Sequence, residues 1–369
     1  MTSNLPRWMW WIAGLFLLCW FIFAVRGILL PFVVGLAIAY LLDPVADYLE
    51  RWRVPRWLAT TLVLVLFFGL AAALLFAMTP ILRDQINGFA RALPGYVDQL
   101  RPFVMQLIDQ AGGQARAQEL VERSGSQIAQ WGAQQVGVLL ASGLALFNLL
   151  TLVLISPVVA FYLLRDWDKL IARVDSWLPR HYEPTIRMLL GQADGALSGF
   201  VRGQFLVCLC LAALYAIGWS LLGLNYSLIL GLIAGMLAFV PFAGPFFGAG
   251  LAVLVAIGQF GGDYMQIGLV YGVFIVVQVI EGSVLTPNLI GERVGLHPAW
   301  VLFAVFAGGE MMGVVGIFLA VPVAAVVAVV ARWAVDRYLD SPLYGTSVPP
   351  PEPPLSPPSS PSPPPVDTP

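Results

Sequence analysis

The chain has 369 residues, 59% of them hydrophobic and 11% charged, and a mean hydropathy of +0.84, far outside the range of soluble domains. Its net charge of −2, with arginines scattered through loops, forms no basic face and excludes nucleic acid as a partner. What remains is an all-α polytopic membrane protein with about eight apolar segments, whose first partner is the lipid bilayer.

The first segment, residues 8–25, carries Trp8, Trp10, Trp11 and Trp20, rings that favour a membrane interface, and no small-residue cleavage site follows it. It reads as a retained span. Residues 28–42 form a second, short span ending at Asp43, followed by a charged loop with Arg51, Arg53 and Arg56. The third span, 57–79, ends at Pro80, and these elements make an N-terminal unit over 1–79. Residues 80–135 are polar, but Leu82, Ile86, Phe89 and Leu93 recur at helical spacing, as do Val97, Leu100, Val104 and Leu107 after Pro94. The spacing predicts a set of extramembrane amphipathic helices whose stripes a homo-oligomer would bury.

Residues 136–340 form the core. Span 136–164 leads into the densest positive stretch, with Arg165, Lys169, Arg173, Arg180 and Arg187, which the positive-inside rule makes cytoplasmic. Counting crossings from there places the N-terminus inside and 80–135 outside. Residues 200–222 and 264–281 are further spans, and the Pro- and Ser-rich tail over 341–369 suits solvated polyproline and not a packed core.

Two apolar stretches are broken at their centres. Residues 227–258 are interrupted by Pro241, Gly244 and Pro245, and residues 299–334 by Gly308, Gly309, Glu310 and Gly313. Each arm covers roughly three quarters of a crossing, and proline and glycine expose backbone groups that lipid cannot satisfy. Such breaks are tolerated where protein or a water-filled cavity covers them, so both stretches are candidate re-entrant hairpins lining a substrate pathway. A span plus a hairpin makes one net crossing, and the two such units would be inverted relative to each other. The alternative is a pair of kinked full spans, which moves only the links around Asp263 and Arg293 across the membrane.

Ionisable groups within apolar spans are functional candidates. Glu281 ends the seventh segment and Glu310 lies at the second break; either is a possible coupling carboxylate, and Glu281 alternatively caps amides of the loop around Asn288. His181 and His297 are far apart, and Cys19, Cys208 and Cys210 sit in apolar runs as small hydrophobes, so no metal or cofactor is expected. The single lysine, Lys169, follows no phosphate-binding loop, and HExxH and GxSxG are absent, which leaves an enzyme reading unsupported.

The runs PFVVGLAIAYLLDP, FYLLRDWDKL, VRGQ, FVPFAGPFFG, VIEGSVLTPNLIGERVGLHP and GVVGIFLAVPVAAV together resemble the AI-2E (autoinducer-2 exporter) family of bacterial permeases. The resemblance covers the chain except the tail and, weakly, 80–135. It implies a plasma-membrane permease; members are associated with autoinducer-2 export or with sodium or lithium/proton antiport. It matches Arg202, Gly203 and Gln204, then Pro241, Gly244 and Pro245, then Glu281, Pro287, Gly291, Gly295 and Pro298, while Ser283 stands where asparagine is expected. The readings that follow are an exporter of a small polar solute through Arg202, Gln204 and the two breaks, a cation/proton antiporter using Glu281 or Glu310, and a membrane scaffold that transports nothing. Pro287, Asn288, Gly291, Gly295 and Pro298 are expected to shape a structural loop.

Overall fold

The computed structural model describes residues 23–110, 143–241, 243–291 and 297–341, with residues 14, 17, 20, 21 and 344 besides. Most of the first span, residues 111–142 and most of the tail lie outside this description. After a 3-10 turn at Arg26–Ile28 come α1 (Leu30–Arg51), α2 (Arg56–Gln110), α3 (Gly143–Ser176) and α4 (Glu183–Leu221). Then follow α5 (Ser227–Leu237), α6 (Ala243–Phe260), α7 (Tyr264–Ile280), a π-helical turn (Glu281–Leu285), α8 (Thr286–Leu289), α9 (Pro298–Met312) and α10 (Val314–Leu339). Among the described residues six helical segments are long and apolar enough to cross a membrane, and α5, α6 and α9 are shorter apolar helices.

The helices form two packed groups. In the first, α1 and α3 run parallel: the Ser156 hydroxyl donates to the Pro31 carbonyl at 3.1 Å, and Tyr40 meets Trp167 edge-on at 5.6 Å. Ala39, Leu42, Ala46, Val63, Ala160 and Leu164 form their buried core with α2. The Arg56 guanidinium closes one end, pairing with Asp43 at 3.0 Å, Glu50 at 2.8 Å and Asp47, and donating to the Leu164 carbonyl at 3.2 Å. The expected loop after Asp43 is therefore helix as far as Arg51, because its acids at helical spacing share one cation.

The second group is built around α4. Its Trp219, fully buried, donates to the Val270 carbonyl at 3.2 Å, and the Tyr215 hydroxyl donates to Gln278 at 2.8 Å, which ties α4 antiparallel to α7. α5 and α6 fold into an antiparallel hairpin against this pair. A side chain on Gly231 would stand 2.5 Å from the Ala216 backbone nitrogen, and one on Gly235 2.5 Å from the Ala212 Cβ, so only glycine allows α5 to lie this close to α4. α9 and α10 form a second hairpin, turned at Gly313, whose φ of 61° and ψ of −137° belong to glycine.

Helix α2 departs from the expected pattern. It continues through Pro80 and Pro94 as one element of 55 residues, about 82 Å at 1.5 Å per residue, where a span followed by separate helices was expected. The reason is its partner: Tyr96 is buried in the α4–α7 core, Phe89 meets Tyr226 edge-on at 5.7 Å, and Gln85 accepts the Ile229 amide at 3.0 Å. The Phe89 side of the amphipathic stripe is thus covered by the chain's own first hairpin, while Ile81 and Ile86 stay exposed.

Candidate functional site

Both central breaks are turns of helical hairpins. The first lies between α5 and α6, with residues 238–241 described; the second is Gly313. The hairpins enter from opposite ends of the molecule. The base of the first lies beside the end of α4, where the Ser220 and Ser227 hydroxyls are 2.7 Å apart, and its tip lies beside Gln204. The second begins just after Leu289 and Ile290, which lie against Gly203, and its tip meets the start of α1, where Arg26 donates to the Met311 carbonyl at 2.8 Å. The two hairpins overlap where Phe239 packs on Phe318, ring centroids 4.7 Å apart.

On the α5 side of the first tip, at residues 238–240, backbone groups find partners within the chain. The Phe239 and Val240 amides donate to Met236 and Leu237, and the buried Gln204 side chain donates to the Ala238 carbonyl at 2.7 Å. Gly244 serves closeness: a Cβ there would come within 2.6 Å of the Ala238 Cα. Pro241 and Pro245 line an apolar cavity of about 950 Å³ together with Tyr271 and Phe274 of α7 and Leu302 and Phe306 of α9. In the second hairpin Gly308 abuts the Gly316 backbone and Gly309 faces Ile317, so these glycines also set helix proximity. Glu310 is exposed.

Glu281 opens the π turn, a feature that often marks functional sites. It is half-buried, its Oε2 is buried without a hydrogen-bond partner, and Cys208 and Tyr215 lie within its electrostatic reach. The expected loop beyond it is helical as far as Leu289. Pro287 falls in the first turn of α8, where its missing N–H costs no bond, and Asn288 donates to the Val284 carbonyl at 2.8 Å. Gly291 adopts a left-handed φ of 65°, Pro298 opens α9, and Gly295 lies outside the described residues.

Arg202 is set apart from the apolar cavity. Its Nε donates to the Tyr40 carbonyl at 2.7 Å and its Nη2 lies 3.9 Å from Asp43, in the wall of a second, polar cavity of about 140 Å³ between α1, α3 and α4. Three consecutive residues of α4 therefore meet three neighbours: Arg202 the polar cavity, Gly203 the end of α8, and Gln204 the first hairpin tip. Sequence reasoning missed Tyr40, Trp167 and Asp194, which complete that cavity. Tyr40 and Asp194 are 154 positions apart and carry no local pattern, although Asp43 and Trp167 do mark the ends of apolar runs.

A sequence model of the family described as AI-2E family transporter matches residues 11–335. The chain belongs to this family. Its relatives include YrrI of Bacillus subtilis, named for transport, 30% identical over 83% of this chain and 86% of that one. PerM of Escherichia coli, named as a permease, is 30% identical over 85% and 89%, respectively. The AI-2 transport protein TqsA of Escherichia coli is 24% identical over 85% and 88%. For an AI-2E family chain, the two opposed hairpins and the polar residues of α4 are the features around which transport has to be explained.

Proposed function

We propose that this AI-2E family permease is a secondary transporter or facilitator that exports a small polar solute across the bacterial inner membrane, an autoinducer-2-like signal by analogy with TqsA. The observation that carries the reading is the overlap of two broken hairpins entering from opposite ends, with Phe239 on Phe318. Opposed re-entrant hairpins let one site be exposed to either side in turn, the arrangement of inverted-repeat transporters. In this reading the arginine-rich end and both termini are cytoplasmic, residues 80–135 are extracytoplasmic, and the exposed part of the α2 stripe is buried in a homo-oligomer. Gln204, Pro241, Pro245 and the glycines of both hairpins shape the pathway, and Arg202 stands at its cytoplasmic entry.

A second reading, a Na⁺(Li⁺)/H⁺ antiporter, is favoured by one observation, the unpartnered Oε2 of Glu281 in the π turn. Reconstituted vesicles separate the two. Solute efflux indifferent to Glu281→Gln supports export, whereas sodium-driven proton movement abolished by that change supports antiport. A protein that moves neither in sealed, correctly reconstituted vesicles is a scaffold.

A further inference from the structure

We propose that the apolar cavity between the two hairpins holds an acyl chain of a membrane phospholipid. Helix α6 buries Ala252, Val255 and Ala256 in the core and turns Ala249, Gly250 and Val253 to the other side, where Pro241 and Pro245 of the first tip continue the same wall. Leu302 and Phe306 of α9 form the facing wall, and Tyr271 and Phe274 of α7 complete the lining. No residue of α9 is buried: this apolar helix packs chiefly on α10, and its cavity side has no helix of the chain closed over it.

The lining selects the occupant. At about 950 Å³ the cavity equals the share of about thirty waters at ~30 Å³ each, and every such water needs about two to four polar partners. Among the described residues the Tyr271 hydroxyl is the one polar side-chain group in the lining, which holds neither water nor a polar solute, and no charge is there to meet a headgroup. The cavity is continuous with the surface that this membrane protein presents to lipid: Phe246, Phe306 and Tyr271 in its wall are 76%, 74% and 49% exposed. An apolar gap open to hydrocarbon fills with hydrocarbon, because an empty one forfeits dispersion contacts along both walls. A chain held there props apart the two hairpins on which the transport reading turns. It also closes the lipid side of a pathway whose polar groups, Arg202 and Gln204, stand on α4.

Photolabelling of the full chain in nanodiscs tests the site, with a phosphatidylglycerol that carries a mid-chain diazirine supplied as a rising share of the lipid. Labelling of Val253, Leu302 and Phe306, mapped by mass spectrometry, is expected to saturate, while Leu66 and Leu70 on the exposed face of α2 take up label in proportion to the share offered. This comparison needs no variant. Gly250→Phe, at a position where a side chain meets open space, fills the cavity and should lower labelling of Leu302 about fivefold while leaving Leu66 unchanged. The proposal is overturned if the cavity residues label in proportion, as ordinary bilayer contact does, or if folded Gly250→Phe protein labels like the parent. It also falls if Val253→Cys, in a background lacking Cys19, Cys208 and Cys210, reacts with an impermeant thiol reagent, which puts water in the cavity. Cross-linking of that cysteine to a second copy puts another subunit there and overturns it equally. None of these readouts involves transport, so failure of the transport reading leaves the acyl-chain site standing, and failure of the site leaves transport.

Discussion

The Gln204 side-chain amide donates to the Ala238 carbonyl across 2.7 Å, joining the middle of α4 to the tip of the first hairpin. Ala238 follows the last turn of α5, where a helix leaves carbonyls without partners, and Gln204 supplies one from a neighbouring element. Removing the amide strands a buried acceptor, at about 1–3 kcal/mol. Gln204→Leu is therefore expected to lower the melting temperature in detergent and to slow transport, and Gln204→Glu, which cannot donate when ionised, to do the same. Unchanged melting in both variants would show that the bond contributes nothing.

Glycines divide by what a side chain would strike. Gly235→Val and Gly244→Leu drive atoms into the backbone of a packed neighbour and are expected to lose folded protein altogether. Gly250→Ala meets open space and should express normally. Monodisperse yield on size exclusion reads the contrast; Gly244→Leu protein that elutes normally yet fails only in transport would reverse the assignment of Gly244 to packing.

Arg56 is 16% exposed at its side chain and faces three carboxylates that are 30–49% exposed. Breaking a buried ion pair costs ~3–5 kcal/mol, and solvent access to the acids reduces this to roughly 2–3 kcal/mol for Arg56→Ala. Arg56→Lys keeps the charge but loses the forked geometry and should recover only part of the loss. Thermal unfolding of the three proteins side by side gives the ordering.

The membrane placement of the hairpins is open to direct labelling. In a background lacking Cys19, Cys208 and Cys210, Asp263→Cys should react with an impermeant thiol reagent on cells with a permeabilised outer membrane. Asp340→Cys should stay protected until the inner membrane is opened. Protection of position 263 under the first condition would make the first broken stretch a full span.

Much of the core fold was legible because its punctuation is local. Pro241 and Gly244 announce one turn and Gly313 the other, and the apolar runs between them are bounded by charge. What could not be read was long-range. A proline in a long helix costs one bond, and whether α2 tolerates Pro80 and Pro94 depends on Tyr96 and Phe89 finding the first hairpin far along the chain. The packing of the glycines was hidden for the same reason, since a flexible residue and a residue that admits a neighbour look alike in sequence. The polar cavity escaped because its side chains come from three separate helices.

The Arg56 cluster has a consequence for biogenesis. Asp43, Asp47 and Glu50 emerge from the ribosome on one face of α1 before the cation that serves all three, so the end of that helix is frayed by its own repulsion until α2 begins. The end of α1 therefore reaches its full stability only with the next helix, and Arg56 ties the two together as a hairpin.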